Sequence, residues 1–317
     1  MNIPDRVKTI IFIQEGGVGK AIASTAVVKA IKTAHPDKSI IVMTGYPDVF
    51  LYNPNVRKVF NFVNPLYFYE DYVNKETYVI KQEPYLDCEY LSNNKHIIQS
   101  WCDMIGVPIV TPYPDLYFLE NELESAQLYI NKERGSKGII LFQWIGGKIP
   151  ESKTELDLKK AIATMYRRSL PVSVAQDVID KLVGEGYIIK DIGHENFPKM
   201  KKAEKVFYPV RSIMALLKWA DGFIGIDSFL QHAAASPILN RKGVVCWGGT
   251  SPKCLGYDKH INITKEDCPT PYCHRPNSYL FDVQPHGALW DCIHGVKCMK
   301  AFNAEEIVKA FHDSQAI

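Results

Sequence analysis

The sequence has no long apolar run and no excess of charge of either sign. No stretch approaches the roughly 20 consecutive apolar residues that a membrane-spanning helix needs. The 37 Lys and Arg residues nearly balance the 35 Asp and Glu residues, leaving a formal net charge of +2. A balanced chain gives no general electrostatic reason to bind nucleic acid or an anionic membrane, although local basic patches could still do so.

The first residues also lack the pattern of a secretory signal. Residues 7–13 (VKTIIFI) have the length of a strand, contain a lysine and are not followed by a small-residue cleavage site. We therefore expect a cytoplasmic protein. Eight cysteines in such a chain indicate thiols or metal ligands rather than a disulfide framework.

Apolar segments and glycine turns alternate in the order typical of parallel α/β sheets. A strand, a glycine turn, a helix and a second strand fall on residues 7–13, 15–19, 20–34 and 39–44. The same unit restarts at residues 139–144 (IILFQW), after the polar segment 134–138. We therefore predict two Rossmann-like domains, residues 1–135 and 136–317, which face each other across a cleft. Ligands would bind at the carboxyl ends of the strands.

The same patterns predict the remaining elements. Further strands are expected at residues 77–80, 187–192, 206–210, 222–226 and 243–247. Further helices are expected at residues 96–105, 120–132, 172–185, 211–219, 229–235 and 304–312.

The first glycine turn, residues 15–20 (EGGVGK), partly matches the phosphate-binding loop of nucleoside triphosphatases. That loop needs a glycine five positions before the GK pair and a Ser or Thr after it, whose hydroxyl binds Mg²⁺. Here Gln14 and Ala21 occupy those positions, which disfavours a triphosphatase. The turn still predicts a helix N-terminus at which Gly17 and Gly19 could face an anion or an acceptor hydroxyl.

Two longer segments carry recognisable signatures. Residues 19–60 contain the glycine turn, a helix with TAVVKAIK at 25–32, a proline stop, a strand and NPNVRKVF at 53–60. Residues 220–235 (ADGFIGIDSFLQHAAA) are followed by a strand and by the turn GGTSP. Together these segments resemble the signatures of glycosyltransferase family 9, the ADP-heptose:lipopolysaccharide heptosyltransferases.

The resemblance covers most of the chain and implies a GT-B fold, with an N-terminal acceptor domain and a C-terminal nucleotide-sugar domain. It implies a glycosyltransferase that moves a sugar from a nucleotide-diphosphate sugar to a hydroxyl of a glycan such as a lipopolysaccharide core. The transfer would be inverting and would need no catalytic metal, and contact with a membrane surface stays open. The chain is a divergent member, because Lys20 stands at the family's catalytic Asp and Phe229 replaces a signature glycine.

Because Lys20 stands where the family has its catalytic Asp, the sequence does not identify the catalytic base. A lysine cannot deprotonate a hydroxyl at neutral pH unless its pKa is strongly lowered. Glu15, at the end of the first predicted strand, is the substitute candidate, and a solvated turn glutamate is the alternative. Lys20 could instead neutralise the leaving diphosphate across the cleft.

The donor-site candidates lie in the second half. Without a metal, helix N-termini and basic side chains must stabilise a departing nucleoside diphosphate. Asp227 and Ser228 precede the helix that carries His232, so Ser228 could offer amides and His232 a hydrogen bond to phosphate. A capping role for Asp227 and a packing role for His232 are the alternatives.

Five further donor-side assignments follow from the resemblance. Arg167 or Arg168 would contact phosphate, with a solvated basic pair as the alternative. Gly146 and Gly147 resemble the glycine turn that opens the donor domain, and Glu195 falls near the expected base and ribose.

The acceptor side is marked by a tyrosine-rich stretch, residues 67–90. Tyr67 and Tyr69 are the candidates there, because aromatic rings stack on sugar faces. Packing in the core or at a domain rim is the alternative for both.

Four cysteines cluster in the last 50 residues, namely Cys268, Cys273, Cys292 and Cys298. Their spacing is looser than the paired CxxC of a zinc ribbon. A protein-modifying branch of the resembling family has a four-cysteine iron site, so a structural zinc or iron site is one alternative and disulfides or free thiols are the others. The other cysteines are predicted to be buried thiols, namely Cys88, Cys102, Cys246 and Cys254.

Two other functions stay open. One is glycosyl transfer to a hydroxymethylpyrimidine in DNA, which the balanced charge disfavours and the lysine-rich residues 199–205 keep open. The other is a nucleotide-sugar- or glycan-binding protein that kept the fold and lost the catalytic base.

Overall fold

The computed structural model describes residues 3–63, 65, 67–146, 167–193, 197–265, 268–269, 271–273, 292 and 294–316. Within these residues the strands form two sheets, both entirely parallel. In chain order, strands β1 to β10 are Thr9–Gln14, Ser39–Thr44, Lys58–Asn61, Thr77–Ile80, Gly138–Phe142, Tyr187–Ile192, Glu204–Val206, Gly222–Ile226, Gly243–Cys246 and Ile261–Ile263.

Helices connect these strands. In chain order, α-helices α1 to α11 are Val18–Ala34, Phe68–Tyr72, Cys88–Leu91, Ile97–Ile105, Glu120–Glu133, Val172–Gly184, Val210–Leu217, Phe229–Ala234, Pro252–Leu255, Lys297–Lys300 and Ala304–Ala316. Short 3-10 helices lie at Pro47–Phe50 and Pro84–Leu86.

The first sheet has the strand order β3-β2-β1-β4. Strand β1 (TIIFIQ) is largely buried, as expected for a strand covered on both faces of a parallel sheet. The chain turns from β1 into α1 through Gly16, whose φ of +104° favours glycine. Because β1 and β4 are parallel neighbours, the residues that follow each strand meet at the same edge of the sheet.

The second sheet has the strand order β10-β9-β8-β5-β6-β7. Strands β5 (GIILF), β8 (GFIGI) and β9 (GVVC) are buried along their whole length and form its centre. Their carboxyl ends lead to the segments beginning at Gly146 and Asp227, which the sequence marked for the donor, and to the signature turn beginning at Gly248. The parallel topology thus gathers these segments at one edge of the sheet.

The two halves are packed together through helices of both. Arg211 of α7 donates from Nε to Oε1 of Glu122 in α5 at 2.6 Å and from Nη2 to Oε2 at 2.8 Å. It also donates to the carbonyls of Asp48 and Tyr117, both at 2.8 Å. Helix α5 therefore packs on the second half although it precedes residue 135, where the sequence predicts the domain boundary. That boundary stays a prediction.

Most predicted elements are confirmed to within two residues at either end. The strand predicted at residues 206–210 is wrong, because β7 ends at Val206 and Pro209 is the N-cap of α7. Proline has no amide hydrogen for a strand ladder and suits a helix start. The short strands β3 and β10 were not predicted, since neither carries a run of buried apolar residues. Among the described residues, no helix is both long and apolar enough to cross a membrane.

Candidate active site

The first turns of α1 and α8 are in contact. A Cβ atom on Gly19 would lie 2.9 Å from Cδ2 of His232 and 3.7 Å from Cα of Phe229. Helix α1 follows β1 and α8 follows β8, so the carboxyl edges of both sheets meet here. The N-terminal ends of two helices are therefore adjacent, and both carry partial positive charge.

Lys20 is a buried lysine in the first turn of α1. Its Nζ lies 2.7 Å from Oε1 and 2.6 Å from Oε2 of Glu83, and its side chain is only 2% exposed. The ammonium also lies over the rings of Tyr85, at 4.9 Å, and Trp101, at 5.2 Å. Burial lowers the pKa of Lys20, while the hydrogen bond and charge of Glu83 oppose that shift. Lys20 is thus held by a carboxylate that the sequence analysis did not single out.

Glu15, the predicted base, lies on the open side of the same turn. Its carboxylate is 2.8 Å from Nζ of Lys81, and its side chain is 53% exposed. Glu15 also acts on Lys20 through its charge. Its environment is that of a solvated ion pair, and its catalytic role stays a prediction.

Gly17 and Gly19 differ in their surroundings. Gly17 is the N-cap of α1, and a Cβ atom there would meet nothing within 4 Å. Gly19 is packed against α8 instead. Of the two predicted acceptor-side glycines, Gly17 is therefore the one with space beside it.

His232 is enclosed between the two halves. Its Nδ1 lies 2.9 Å from the hydroxyl of Tyr257, and the side chain is buried. Burial, together with the nearby His96 and His260, lowers the pKa of His232 to about 3. The imidazole is therefore neutral at physiological pH. These surroundings are those of a packing histidine, and the predicted donor contact stays a prediction.

Asp227 and Ser228 lie at the carboxyl end of β8. Asp227 is buried, and burial raises the pKa of its carboxyl group, while the guanidinium of Arg168 acts in the opposite direction. Ser228 is the N-cap of α8, but its side chain makes no capping hydrogen bond. The Ser228 hydroxyl is thus not committed to the helix.

Arg168 is close to both Asp227 and the end of β5. A Cβ atom on Gly146 would lie 3.3 Å from Nε of Arg168 and 2.8 Å from Cδ1 of Ile226. The Nε atom of Arg168 is buried and has no hydrogen-bond partner among the residues that the structure describes. A buried donor without a partner is costly, so this atom is a candidate for contact with a ligand.

The segment that carries the two arginines is bound to the strand ends. The Gly146 amide donates to Oγ of Ser169 at 3.1 Å, and the Gly249 amide donates to the carbonyl of Arg167 at 2.8 Å. Both amides are therefore engaged within the chain. The predicted donor residues Gly147 and Glu195 lie outside the described residues.

Tyr67 and Tyr69 lie on the surface at α2. Their exposed fractions are 69% and 67%, and Tyr67 is the N-cap of the helix with a φ of +57°. The ring of Tyr69 packs edge-on against Phe68 at 5.5 Å. The two tyrosines are accessible, and their predicted stacking on sugars stays a prediction.

The four C-terminal cysteines share one region. Burial, together with the charges of Cys268, Cys273 and Cys292, raises the pKa of Cys298 to about 11. All eight cysteines are free thiols, and Cys88, predicted to be buried, is exposed at the first residue of α3. Sulfur ligands suit zinc and iron. Within the described part of the chain, however, no three His, Cys, Asp or Glu side chains are arranged to hold a metal ion.

Sequence comparisons find no match, either among protein-family models or among curated proteins. Solved structures do match the fold. Glycosyltransferase family 9 from Veillonella parvula is 13% identical with a TM-score of 0.65, covering 100% of this chain and 99% of that one. The iron-containing dodecameric glycosyltransferase TibC from enterotoxigenic E. coli is 13% identical with a TM-score of 0.62, covering 98% and 77%. E. coli ADP-heptose lps heptosyltransferase II is 15% identical with a TM-score of 0.54, covering 89% and 96%.

The fold is thus the two-sheet GT-B architecture of glycosyltransferases, as the sequence predicted. More particularly, the chain is similar in fold to glycosyltransferase family 9, the family whose signatures it resembles.

Proposed function

We propose that the protein is a glycosyltransferase that moves a sugar from a nucleotide-diphosphate sugar to an acceptor hydroxyl. The observation that supports this most is the contact between the first turns of α1 and α8 at Gly19 and His232. It places two helix N-termini, with their amide groups, where the carboxyl edges of both sheets meet. Such a place suits a charged donor bound from one half and an acceptor bound from the other.

The donor would bind on the second half. Arg168 supports this role because its buried Nε has no partner among the described residues. Arginine binds phosphate in a planar, two-point geometry, and the uncommitted hydroxyl of Ser228 lies at the N-terminus of α8. TibC has been solved in complex with ADP-D-beta-D-heptose, and E. coli heptosyltransferase WaaC with ADP. We therefore propose an ADP-sugar, with heptose as the first candidate.

The reaction we propose is an inverting, metal-independent displacement. The acceptor oxygen forms a bond to the anomeric carbon while the bond from that carbon to the diphosphate oxygen breaks. The diphosphate leaves with the electron pair, and the acceptor proton passes to a carboxylate. Basic side chains and helix amides, rather than a metal, would stabilise the leaving group. Lys20 is less suited to that task, because both carboxylate oxygens of Glu83 already compensate its charge.

The acceptor would be a glycan hydroxyl of the lipopolysaccharide type. The exposed rings of Tyr67 and Tyr69 support a sugar-binding surface on the first half, and Gly17 has open space beside it. Cys268, Cys273, Cys292 and Cys298 could hold a structural zinc or iron ion, for which the iron-containing TibC is a precedent. The ion would stabilise the C-terminal segment.

One observation favours a second function. The family's catalytic Asp is replaced by Lys20, whose side chain is buried and ion-paired. A protein that binds a sugar nucleotide or a glycan without transferring it would keep the fold and the donor-side arginine. Such a protein would bind its ligand without catalysing any sugar transfer.

The experiment is a thermal-shift panel of ADP-, UDP-, GDP-, CMP- and dTDP-sugars with their free nucleotides. A ligand at 100 times its Kd stabilises the fold by about 2.7 kcal/mol, which is readily seen. Arg168→Gln should weaken binding of the active nucleotide, and Arg6→Gln, at the opposite edge of the first sheet, is the matched control. A folded protein that no nucleotide stabilises would contradict the proposal.

A further inference from the structure

We infer that Glu83 is the catalytic base of the proposed transfer and that Lys20 is the residue that positions it. This inference rests on the proposed function and supplies the group that its mechanism lacks. The resembling family carries a carboxylate on the first turn of α1. In this chain Lys20 stands at that position instead. The carboxylate of Glu83, which follows strand β4, reaches the same turn and is paired with Lys20.

The fold explains why Glu83 arrives there. Glu83 follows β4, which is the parallel neighbour of β1, and α1 begins four residues after β1 ends. Two parallel neighbours end at the same edge of a sheet, so the residue after β4 comes close to the first turn of α1. Lys20 then spans the remaining gap with its side chain.

The carboxylate of Glu83 is held in one orientation. It accepts hydrogen bonds from Nζ of Lys20 at 2.7 and 2.6 Å and from the amide of Tyr85 at 3.3 Å. Glu83 is also the N-cap of the 3-10 helix Pro84–Leu86. A base with several fixed contacts is preorganised, which is what general-base catalysis requires.

Of the two charged partners, only the carboxylate reaches solvent. The side chain of Lys20 is 2% exposed, whereas that of Glu83 is 30% exposed. Glu83 can therefore meet an acceptor hydroxyl, while the ammonium behind it is sealed by Tyr85 and Trp101.

Glu83 also lies toward the donor side. Tyr90 of α3 is buried, and burial is the main reason that its pKa is raised. The charges of Asp227 and Glu83 both add to that shift. Tyr90 also links the two halves by contact, because its ring lies 5.3 Å from that of Tyr85 and its carbonyl accepts a hydrogen bond from Sγ of Cys254 at 3.7 Å. Glu15, by comparison, has its charge paired with Lys81 on the open surface.

Proton transfer to Glu83 accompanies the displacement of the diphosphate. The acceptor O–H bond breaks and its proton goes to a carboxylate oxygen of Glu83. The acceptor oxygen forms its bond to the anomeric carbon as the bond to diphosphate breaks, and the diphosphate takes the electron pair. The pair then consists of the Lys20 ammonium and a neutral carboxylic acid, which returns its proton to water.

The test measures the release of ADP from ADP-heptose with water as the acceptor, so that no glycan has to be identified. Glu83→Gln should lower kcat by about 10²- to 10⁴-fold, the usual share of a general base, and leave the Kd for ADP within about twofold. Glu76→Gln is the matched control, because Glu76 lies at the opposite end of β4 in an exposed pair with Lys8. It should leave kcat unchanged.

A second variant separates catalysis from folding. Glu83→Gln leaves a buried ammonium unpaired, which can unfold the protein, whereas Lys20→Met combined with Glu83→Gln removes both charges. The double variant should fold, bind ADP and still lack turnover. Lys20→Met alone should keep turnover but move the acidic limb of the pH–kcat profile to higher pH, since an ammonium no longer favours the charged carboxylate.

Three results would overturn the inference. Wild-type turnover in Glu83→Gln, or its recovery in the double variant, would make Glu83 only a counter-ion for Lys20. Loss of turnover in Glu15→Gln but not in Glu83→Gln would assign the base to Glu15. Absence of both binding and nucleotide release in the wild-type protein with every sugar nucleotide of the thermal-shift panel would instead contradict the proposed function itself, and the inference with it.

Discussion

Gly19 lies directly against the imidazole of His232, so that a Cβ atom added at position 19 would lie only 2.9 Å from Cδ2 of the histidine. The contact joins α1 of the first half to α8 of the second. It links the two segments that the sequence analysis marked for acceptor and donor. Its tightness means that a side chain at position 19 must displace His232 or separate the helices.

Gly19→Val should therefore perturb the contact between the halves. The added methyl groups cannot fit against His232, and overpacking of this kind costs about 1–3 kcal/mol. We expect a lower midpoint in urea denaturation and weaker binding of ADP. Gly17→Ala, at an N-cap position with open space, is the matched control for stability. Unchanged stability in Gly19→Val would mean that the helices do not meet as described.

Stability should fall in acid because three histidines are buried in the neutral form. Burial lowers the pKa of His96 and His260 to about 4 and that of His232 to about 3. The unfolded chain, with a histidine pKa near 6.5, binds more protons, so stability is complete above about pH 6.5 and declines as the pH falls toward 4.

The expected loss in the free energy of unfolding is about 2 kcal/mol per histidine between pH 7 and pH 4.5. Urea denaturation at both pH values measures it. His260→Gln should reduce the difference between the two pH values. A denaturation midpoint that does not depend on pH over this range would contradict the buried, neutral state.

Arg211 should be the main polar link between α7 and α5. Its side chain is 8% exposed and that of its partner Glu122 is 29% exposed. Arg211→Met leaves Glu122 and two carbonyls without their donor, so we expect a loss of about 2–4 kcal/mol in the free energy of unfolding. Lys181→Met breaks an exposed pair with Glu305 and should lower the free energy of unfolding much less, because solvent screens such a pair. An equal loss of stability in Arg211→Met and Lys181→Met would contradict the role of Arg211.

If the proposed structural site forms at the four C-terminal cysteines, freshly purified protein contains zinc or iron. Elemental analysis should find about one ion per chain if the ligands are Cys268, Cys273, Cys292 and Cys298. A chelator should remove the ion and lower Tm, and Cys298→Ser should do the same, because metal binding adds to folding stability. Cys88→Ser, at an exposed thiol in the first half, should leave the metal content unchanged. Protein without zinc or iron would rule out the structural site.

The architecture could be predicted from the sequence because the patterns that indicate each strand, turn and helix lie within short stretches of residues. The strand, glycine turn and helix at residues 9–34 and the run that ends at Asp227 and Ser228 are each contained in a short window. Parallel pairing then follows from the alternation of strands and helices. The short, partly exposed β3 and β10 carry no such signal and were missed.

The candidate site was less predictable because its partners come from distant segments. Glu83 reaches Lys20 from 63 residues away, through the adjacency of β1 and β4, which no spacing in the sequence encodes. The neutral state of His232 depends on Tyr257 and on burial between the halves. The sequence did mark Lys20 as a departure from the family pattern, and that departure was the signal that a carboxylate had to be sought elsewhere.

The most direct test of the account is the release of nucleoside diphosphate from ADP-, UDP-, GDP- and dTDP-sugars by the purified protein, followed with and without a lipopolysaccharide-core acceptor. We predict release from one class of donor, faster with acceptor, and a large loss in Arg168→Gln but not in Arg6→Gln. Binding of a sugar nucleotide without any release would contradict transfer and would identify the protein as a binding module with a glycosyltransferase fold.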